Sequence, residues 1–284
     1  MLWIDGRLHE GTRVPFDLSD RGLLLGDGLF DTAMALGGRI AFEEEHVGRL
    51  ASSAEILGFA IDRDRVVAGM RAIAARIPRA AIRTTVTRGS GPRGLAPPVA
   101  AAPVHWASAA PLMPGLAFSS LSLLPVAIRR NETSPSAHLK TLGYLDAVMG
   151  NREARAVGFD ESLFLNLQGR VACAATGNLF LVDGERLHTP ALDEGVLPGI
   201  VRGLVLSQIA PGLGLEVVEA PLAVSRFLTA DAVFMTNSLR LLAQVTALGE
   251  SNIPNIVSDI PGRIAAAIVE VVAQSCGVPA KAVA

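Results

Sequence analysis

Apolar and polar positions follow two periods along the chain, and the switches between them mark out its elements. Leu2-Trp3-Ile4 and Arg7-Leu8 flank Asp5-Gly6, a hairpin in which glycine supplies the positive φ. Thr32–Leu36 predicts a strand that turns at Gly37-Gly38 into Arg39–Phe42. In Glu43–Leu57, Val47, Leu50, Ala54 and Leu57 recur at helical spacing, the first turn is acidic, and Gly58 can end the helix. A second helix, Arg63–Ile77, stops before Pro78. Ala81–Arg88 and Ala101–Ser108 predict strands around the loop Gly89–Gly94. The segment Asp20–Thr32 is too rich in glycine for a regular helix and predicts backbone packed closely against a neighbour.

The second half opens with a strand at Leu116–Ile128 and a polar loop at Arg129–Ser136. A helix is expected from about Leu139 to Ala156, stopped by Gly158. Ser162–Asn166, Arg170–Cys173, Leu179–Val182, Leu215–Val218 and Asp231–Met235 predict strands, the last leading into the loop Thr236-Asn237-Ser238. Helices are expected at Ile200–Ile209, after the turn Leu197-Pro198-Gly199, and at Gly262–Gln274. Strands and helices mix without regular βαβ alternation, which predicts two α/β domains of the α+β kind. The expected division is residues 1–108, a linker at 109–115 containing two prolines, and residues 116–284.

A chain of 284 residues, half of them hydrophobic, can bury a sizeable core. Its formal charge of −2 excludes a polybasic surface for nucleic acid or membrane. Apolar runs are shorter than the roughly 20 residues of a membrane span, and no signal-peptide pattern opens the sequence. Two cysteines make neither a disulfide framework nor a zinc pattern, so a soluble cytoplasmic protein without a metal is expected.

The chemistry centres on Ser136–Asp146. Lys140 is one of two lysines, the other being Lys281 near the C-terminus, and Tyr144 is the single tyrosine. Their spacing of four residues is one helical turn, so both are expected to point into one pocket. Unlike arginine, a desolvated lysine can lose its proton and form a Schiff base; as a plain surface cation it would do neither. A pyridoxal-phosphate cofactor on such a lysine would need phosphate ligands, which Arg49, Ser238 and the helix opening Gly199-Ile200-Val201-Arg202 can provide. Each also has an ordinary reading, as a surface arginine, a turn residue and a helix entry. Asp160 and Glu161 read as solvated loop charges, and His46 and His138 as structural or rim residues.

Taken in order, Asp20-Arg21-Gly22, Gly26-Asp27-Gly28-Leu29-Phe30-Asp31-Thr32, His46-Val47-Gly48-Arg49-Leu50 and Thr87–Gly94 carry a resemblance that spans nearly the whole chain. It continues through Lys140–Leu145, Gly177-Asn178-Leu179-Phe180, Thr189-Pro190, Leu197–Arg202 and Thr236–Leu239. The sequence resembles the class IV aminotransferases, the fold type IV pyridoxal-phosphate enzymes. That family includes branched-chain and D-amino-acid aminotransferases and 4-amino-4-deoxychorismate lyases. The resemblance implies a two-domain fold like that of D-amino-acid aminotransferase, with the cofactor at the domain interface, in a homodimer. It implies that Lys140 is the Schiff-base and proton-transferring residue. Arg49, Ser238 and the amides of Ile200 and Val201 would hold the phosphate, and Tyr144 would bond the ring oxygen. Thr32, Arg88 and Arg93 are the candidates for the substrate, the arginines for its carboxylate.

Two departures stand out. Val201 replaces the family's usual threonine, and Cys173 falls where the family places the glutamate that pairs with the pyridine nitrogen. A thiol cannot match a carboxylate in keeping that nitrogen protonated. The expected activity is amino transfer between an amino acid or amine and a 2-oxo acid. The alternative is elimination of pyruvate from aminodeoxychorismate to leave 4-aminobenzoate, and a catalytically impaired binding protein is a distant third.

Overall fold

The structure is a computed structural model that describes residues 1–4, 6–253 and 258–284. Contacts group them into two compact units. The first comprises Met1–Met113, Leu139–Gly143 and Val272–Val283; the second comprises Pro114–His138, Tyr144–Val271 and Ala284. Lys140 therefore belongs by its contacts to the first unit, where a linear division expected it in the second domain.

The first unit is built on an antiparallel six-stranded sheet. Its strands are β1 (Leu2–Ile4), β2 (Arg7–His9), β3 (Gly28–Leu36), β4 (Arg39–Ile40), β5 (Arg79–Thr87) and β6 (Val104–Pro111), in the order β2-β1-β6-β5-β3-β4. The hairpin β1–β2 turns at Gly6, φ 76°; its other expected turn residue, Asp5, lies outside the described residues. Helices α2 (Glu43–Ile56) and α3 (Arg63–Ala74) cover one face of the sheet. Val47, Leu50, Ala54, Val66, Met70 and Ile73 pack there against Leu29, Ala33 and Ile82, the alternate residues of β3 and β5. Ala109–Pro111, expected to open a linker, instead continue β6, because they pair with Ala80–Ile82.

The glycine-rich segment does contain a short helix, α1 (Arg21–Leu25). The Asp20 side chain caps it by accepting from the Gly22 and Leu23 amides, and Gly26 at φ 69° ends it. The close backbone approach expected here is present: a Cβ on Gly22 would come within 2.2 Å of Thr87 Cγ2. The chain's end also returns to this unit. Arg79 donates to the carbonyls of Ala282 (2.7 Å) and Val283 (3.1 Å), and the Phe42 amide donates to Ser275 Oγ (3.3 Å).

The second unit carries a nine-stranded mixed sheet. Its strands are β7 (Leu121–Arg130), β8 (Glu161–Asn166), β9 (Val171–Ala174), β10 (Asn178–Asp183), β11 (Arg186–Pro190), β12 (Glu216–Ala220), β13 (Ala232–Asn237), β14 (Leu241–Leu248) and β15 (Ser251–Asn252). The order is β12-β11-β10-β13-β14-β7-β8-β9, with β15 paired to β14. Short helices α4 (Pro135–His138) and α8 (Val224–Leu228) lie in connections. Helix α5 (Leu145–Ala156) packs on β7 and β8. From α6 (Ile200–Leu204) the helix runs on through a π-helical stretch (Val205–Ile209) into α7 (Ala210–Gly212). Leu163, Val171, Leu179, Phe227, Met235 and Val245 form the centre of this core. Helix α9 (Ile260–Cys276) ends the regular structure. No helix among the described residues is long and apolar enough to cross a membrane.

Candidate functional site

Lys140 is not helical. The helix expected from Leu139 begins only at Leu145, with Tyr144 as its N-cap. Residues 139–143 instead lie along β3. The Phe30 amide donates to the Lys140 carbonyl (2.9 Å), the Leu142 amide donates to the Gly28 carbonyl (3.1 Å), and Thr141 bridges to Leu29. These long-range backbone bonds outweigh the helical pattern of the local sequence. The one-turn spacing assumed for Lys140 and Tyr144 therefore does not exist.

Within the first unit, the half-buried Lys140 places Nζ 4.5 Å from the Phe30 ring centroid. Arg83 lies on the same ring, its Cζ 3.5 Å from the centroid. Arg83 stands opposite Thr32 in the β3–β5 register, so Thr32 and Arg83 share the sheet face that carries Phe30. Sequence reasoning did not single out Arg83. Its signal was a cation in the middle of an otherwise apolar and threonine-rich strand.

Arg88 differs from its expected role. It is buried, its Nε donates to Asp27 (2.8 Å), and its two terminal nitrogens donate to the carbonyls of Gly58 (3.2 Å) and Leu57 (2.6 Å). It is a structural clasp between β5 and the end of α2, not a cation presented to a substrate. Arg21 grips the same Asp27 oxygen at 2.8 Å. Burial alone would raise the Asp27 carboxyl, but the two guanidinium groups hold it below its ordinary value. Arg93 is exposed on its loop.

Arg49 is oriented by a buried carboxylate. Its Nε and Nη2 donate to the two oxygens of Asp31, each at 2.8 Å, and His46 Nδ1 lies 2.7 Å from Asp31 Oδ1. Burial opposes ionisation of Asp31, yet Arg49 and His46 together hold the carboxyl far below the usual carboxylate range. The bidentate geometry fixes the guanidinium plane.

In the second unit, Asn178 ties two segments together. Its Nδ2 donates to the Leu197 carbonyl (2.9 Å), and it pairs in register with Thr236, two residues before Ser238. Gly199 is the N-cap of α6 and makes no side-chain cap bond, so the first amides of the helix have no intrahelical partner. A Cβ at Gly199 would fall 2.0 Å from Asn178 Oδ1, so any side chain there would have to displace the Asn178 amide. The half-buried Ser238 sits in the β13–β14 turn, which Asn237 stabilises by accepting from the amides of Leu239 (2.9 Å) and Arg240 (2.7 Å). The Thr236 hydroxyl is buried without a hydrogen-bond partner in the structure. Val201 is buried, so only its amide is available.

Cys173 is half-buried on β9, opposite Phe164. Burial pushes its thiol up, with the Arg130 guanidinium opposing. It packs with Tyr144 on a small apolar cluster of Val126, Ala147, Phe164 and Ala175. Glu161, expected to be solvated, is buried at the start of β8. Burial raises its carboxyl even though the Thr176 amide (2.5 Å) and hydroxyl (2.9 Å) both donate to it. His46 is buried in the Asp31 network, and His138 contacts the Glu132 carbonyl at 2.9 Å.

A lysine amine and an arginine lie on one aromatic ring of the first unit, and the second unit carries a glycine-opened, uncapped helix. A family model described as amino-transferase class IV matches residues 28–248, and the chain belongs to that family. The family's cofactor is pyridoxal 5′-phosphate. A Methanocaldococcus jannaschii protein provisionally named a branched-chain-amino-acid aminotransferase is 32% identical over 246 residues, 84% of each chain. The solved 4-amino-4-deoxychorismate lyase of Pseudomonas aeruginosa is 30% identical, covers 93% of this chain and 96% of its own, and superposes with a TM-score of 0.83. The branched-chain amino acid aminotransferase of Escherichia coli shares the fold at 23% identity and a TM-score of 0.88, over 96% of this chain and 95% of its own. The chain thus has the fold type IV architecture.

The residues fit the cofactor's phosphate: a side chain at Gly199 would meet the Asn178 amide, the helix behind it is uncapped, and the Thr236 hydroxyl is buried without a partner. At the position that the resemblance gives to the ring nitrogen, a thiol replaces the usual carboxylate.

Proposed function

We propose that this enzyme moves an amino group between an amino acid and a 2-oxo acid, with branched-chain amino acids the first donors to test. The observation that carries the reading is the pairing of Lys140 Nζ and Arg83 on the Phe30 ring, 4.5 and 3.5 Å from its centroid. That pairing sets an amine beside a cation suited to a carboxylate. Bound pyridoxal phosphate supplies an electron sink and carries the amino group between substrates. Lys140 takes the proton from the substrate Cα. Arg83, with Thr32 beside it, orients the substrate carboxylate, a role that Arg88 cannot fill. The amides of Ile200 and Val201 and the Ser238 hydroxyl bind phosphate oxygens, and Arg49, held by Asp31, adds a fixed cation. Tyr144 donates to the ring oxygen.

We also propose a cytoplasmic homodimer. Leu23, Leu24 and Leu25 are 58%, 60% and 47% exposed in succession on α1, an apolar surface that a second copy would cover. Both cysteines are free, which suits a reducing compartment.

Borohydride reduction followed by peptide mass spectrometry should find the pyridoxyl group on Lys140, and a donor panel should convert the cofactor to its amine form. A pyridoxyl group on no residue would refute the reading. The lyase alternative is favoured by the 30% identity to the Pseudomonas enzyme. Pyruvate release from aminodeoxychorismate, with no donor converting the cofactor, would establish it instead.

A further inference from the structure

The second unit holds a guanidinium with no counter-charge. Arg130 ends β7, where it pairs in register with Asn166, and its Cζ lies 4.5 Å from the centroid of Phe164. Phe164 is in turn the cross-strand partner of Cys173. The Arg130 Nε is buried without a hydrogen-bond partner, Arg130 forms no ion pair among the described residues, and its guanidinium hydrogen-bonds the Cys173 thiol. A thiol is a weak acceptor, so a guanidinium held against one has room for a stronger acceptor.

The carboxylate that acts on Cys173 does not supply the need. Glu161 acts on the same thiol, but both of its oxygens accept from Thr176 and it is itself driven toward neutrality by burial. Tyr144 and the apolar side chains of the Phe164 cluster pack with Cys173. The surroundings of Cys173 therefore hold a cation and a neutral thiol where an anion would be needed to protonate a pyridine.

We propose that Arg130 donates to the ring nitrogen of bound pyridoxal phosphate and holds that nitrogen unprotonated. The proposal rests on the reading that Cys173 faces the nitrogen end of the cofactor. A guanidinium cannot accept a proton-bearing nitrogen, and its charge opposes a second positive charge beside it. The polarity of this end of the site is thus reversed, from an anion that stabilises a pyridinium to a cation that selects the neutral pyridine. Arg130 is a positioning and charge-setting residue here, and the ring it faces withdraws electrons less strongly from the substrate Cα.

The test is ¹⁵N NMR of the holoenzyme reconstituted with pyridoxal phosphate labelled at the ring nitrogen, which reads protonation without turnover. The wild-type resonance should lie in the unprotonated pyridine range throughout pH 6–8. Cys173→Glu should move it to the pyridinium range, and Arg130→Gln should shift it by removing the charged donor, with Arg130→Met as a second variant. A pyridinium signal in the wild type would overturn the proposal, as would Arg130 variants that retain cofactor but leave the resonance unmoved. Gel filtration with absorbance detection separates this from failure of the underlying reading: a protein that retains no labelled cofactor overturns both.

Discussion

Asp31→Asn should cost the first unit roughly 2–3 kcal/mol. In the folded protein this carboxylate, 2% exposed, accepts from two nitrogens of Arg49 and from His46, and the Thr32 amide donates to it at 2.7 Å. Removing one partner of a buried ion pair typically costs about 3–5 kcal/mol. The lower figure applies because Arg49 keeps some solvent contact and asparagine still presents one acceptor. Both tryptophans, Trp3 and Trp106, lie in the first unit, so urea unfolding followed by their fluorescence reports this network. The pH dependence gives a second handle. The folded carboxyl is depressed, so its stabilisation is complete above the unfolded value of about 3.9 and is lost as the pH falls through the folded value. The gap between wild type and variant should be full at pH 7 and narrow below about pH 4. A variant within about 0.5 kcal/mol of wild type at pH 7, or a gap that widens with acid, would refute the reasoning.

Three further outcomes follow. Gly199→Ala should weaken cofactor retention at least tenfold in an equilibrium titration, because its Cβ would displace Asn178 from the helix entry. Arg83→Leu should raise KM for the amino donor by about 10- to 100-fold, the loss of roughly 1.5–3 kcal/mol of charged hydrogen bonding, while the bound cofactor's spectrum stays unchanged. Glu161→Gln should gain on the wild type as pH rises from about 4.5 to 8 in chemical denaturation. The folded carboxyl is raised by burial, so its favourable neutral form is present below the unfolded value and is lost as pH climbs through the folded one.

Elements whose sides differ in polarity were legible in the sequence. The stripe Val47-Leu50-Ala54 fixes which face of α2 is buried, and the run of α9 needs no partner to be seen. Strand β14 went unread because Leu241-Leu242-Ala243 and Val245 are buried on both faces and show no alternation. Lys140 was found by its chemical type, but its conformation was not, since backbone bonds to residues 28–30 decide it. Arg83 and Arg88 show the same division. Five residues apart, they look alike in sequence; only the structure shows that Arg83 shares a face of β5 with Phe30 while Arg88, just past the strand's end, clasps Leu57 and Gly58. The Cys173 substitution was visible at once, whereas the cation beside it, Arg130, needed the pairing of β7, β8 and β9.

The first unit is assembled from three separated stretches, and this orders events during synthesis. Residues 28–30 wait more than a hundred positions for the segment that brings Lys140, and Arg79 waits about two hundred for the carbonyls of Ala282 and Val283. Closing such long loops precedes the contacts that reward it. The nascent first unit therefore leaves the ribosome unfinished, with Arg79 and the edge near β4 without their contacts to residues 275–283 until that segment emerges. The segment that carries the reactive lysine therefore takes its place on β3 only after more than a hundred further residues have been made, whereas Arg79 finds its carbonyl partners later still.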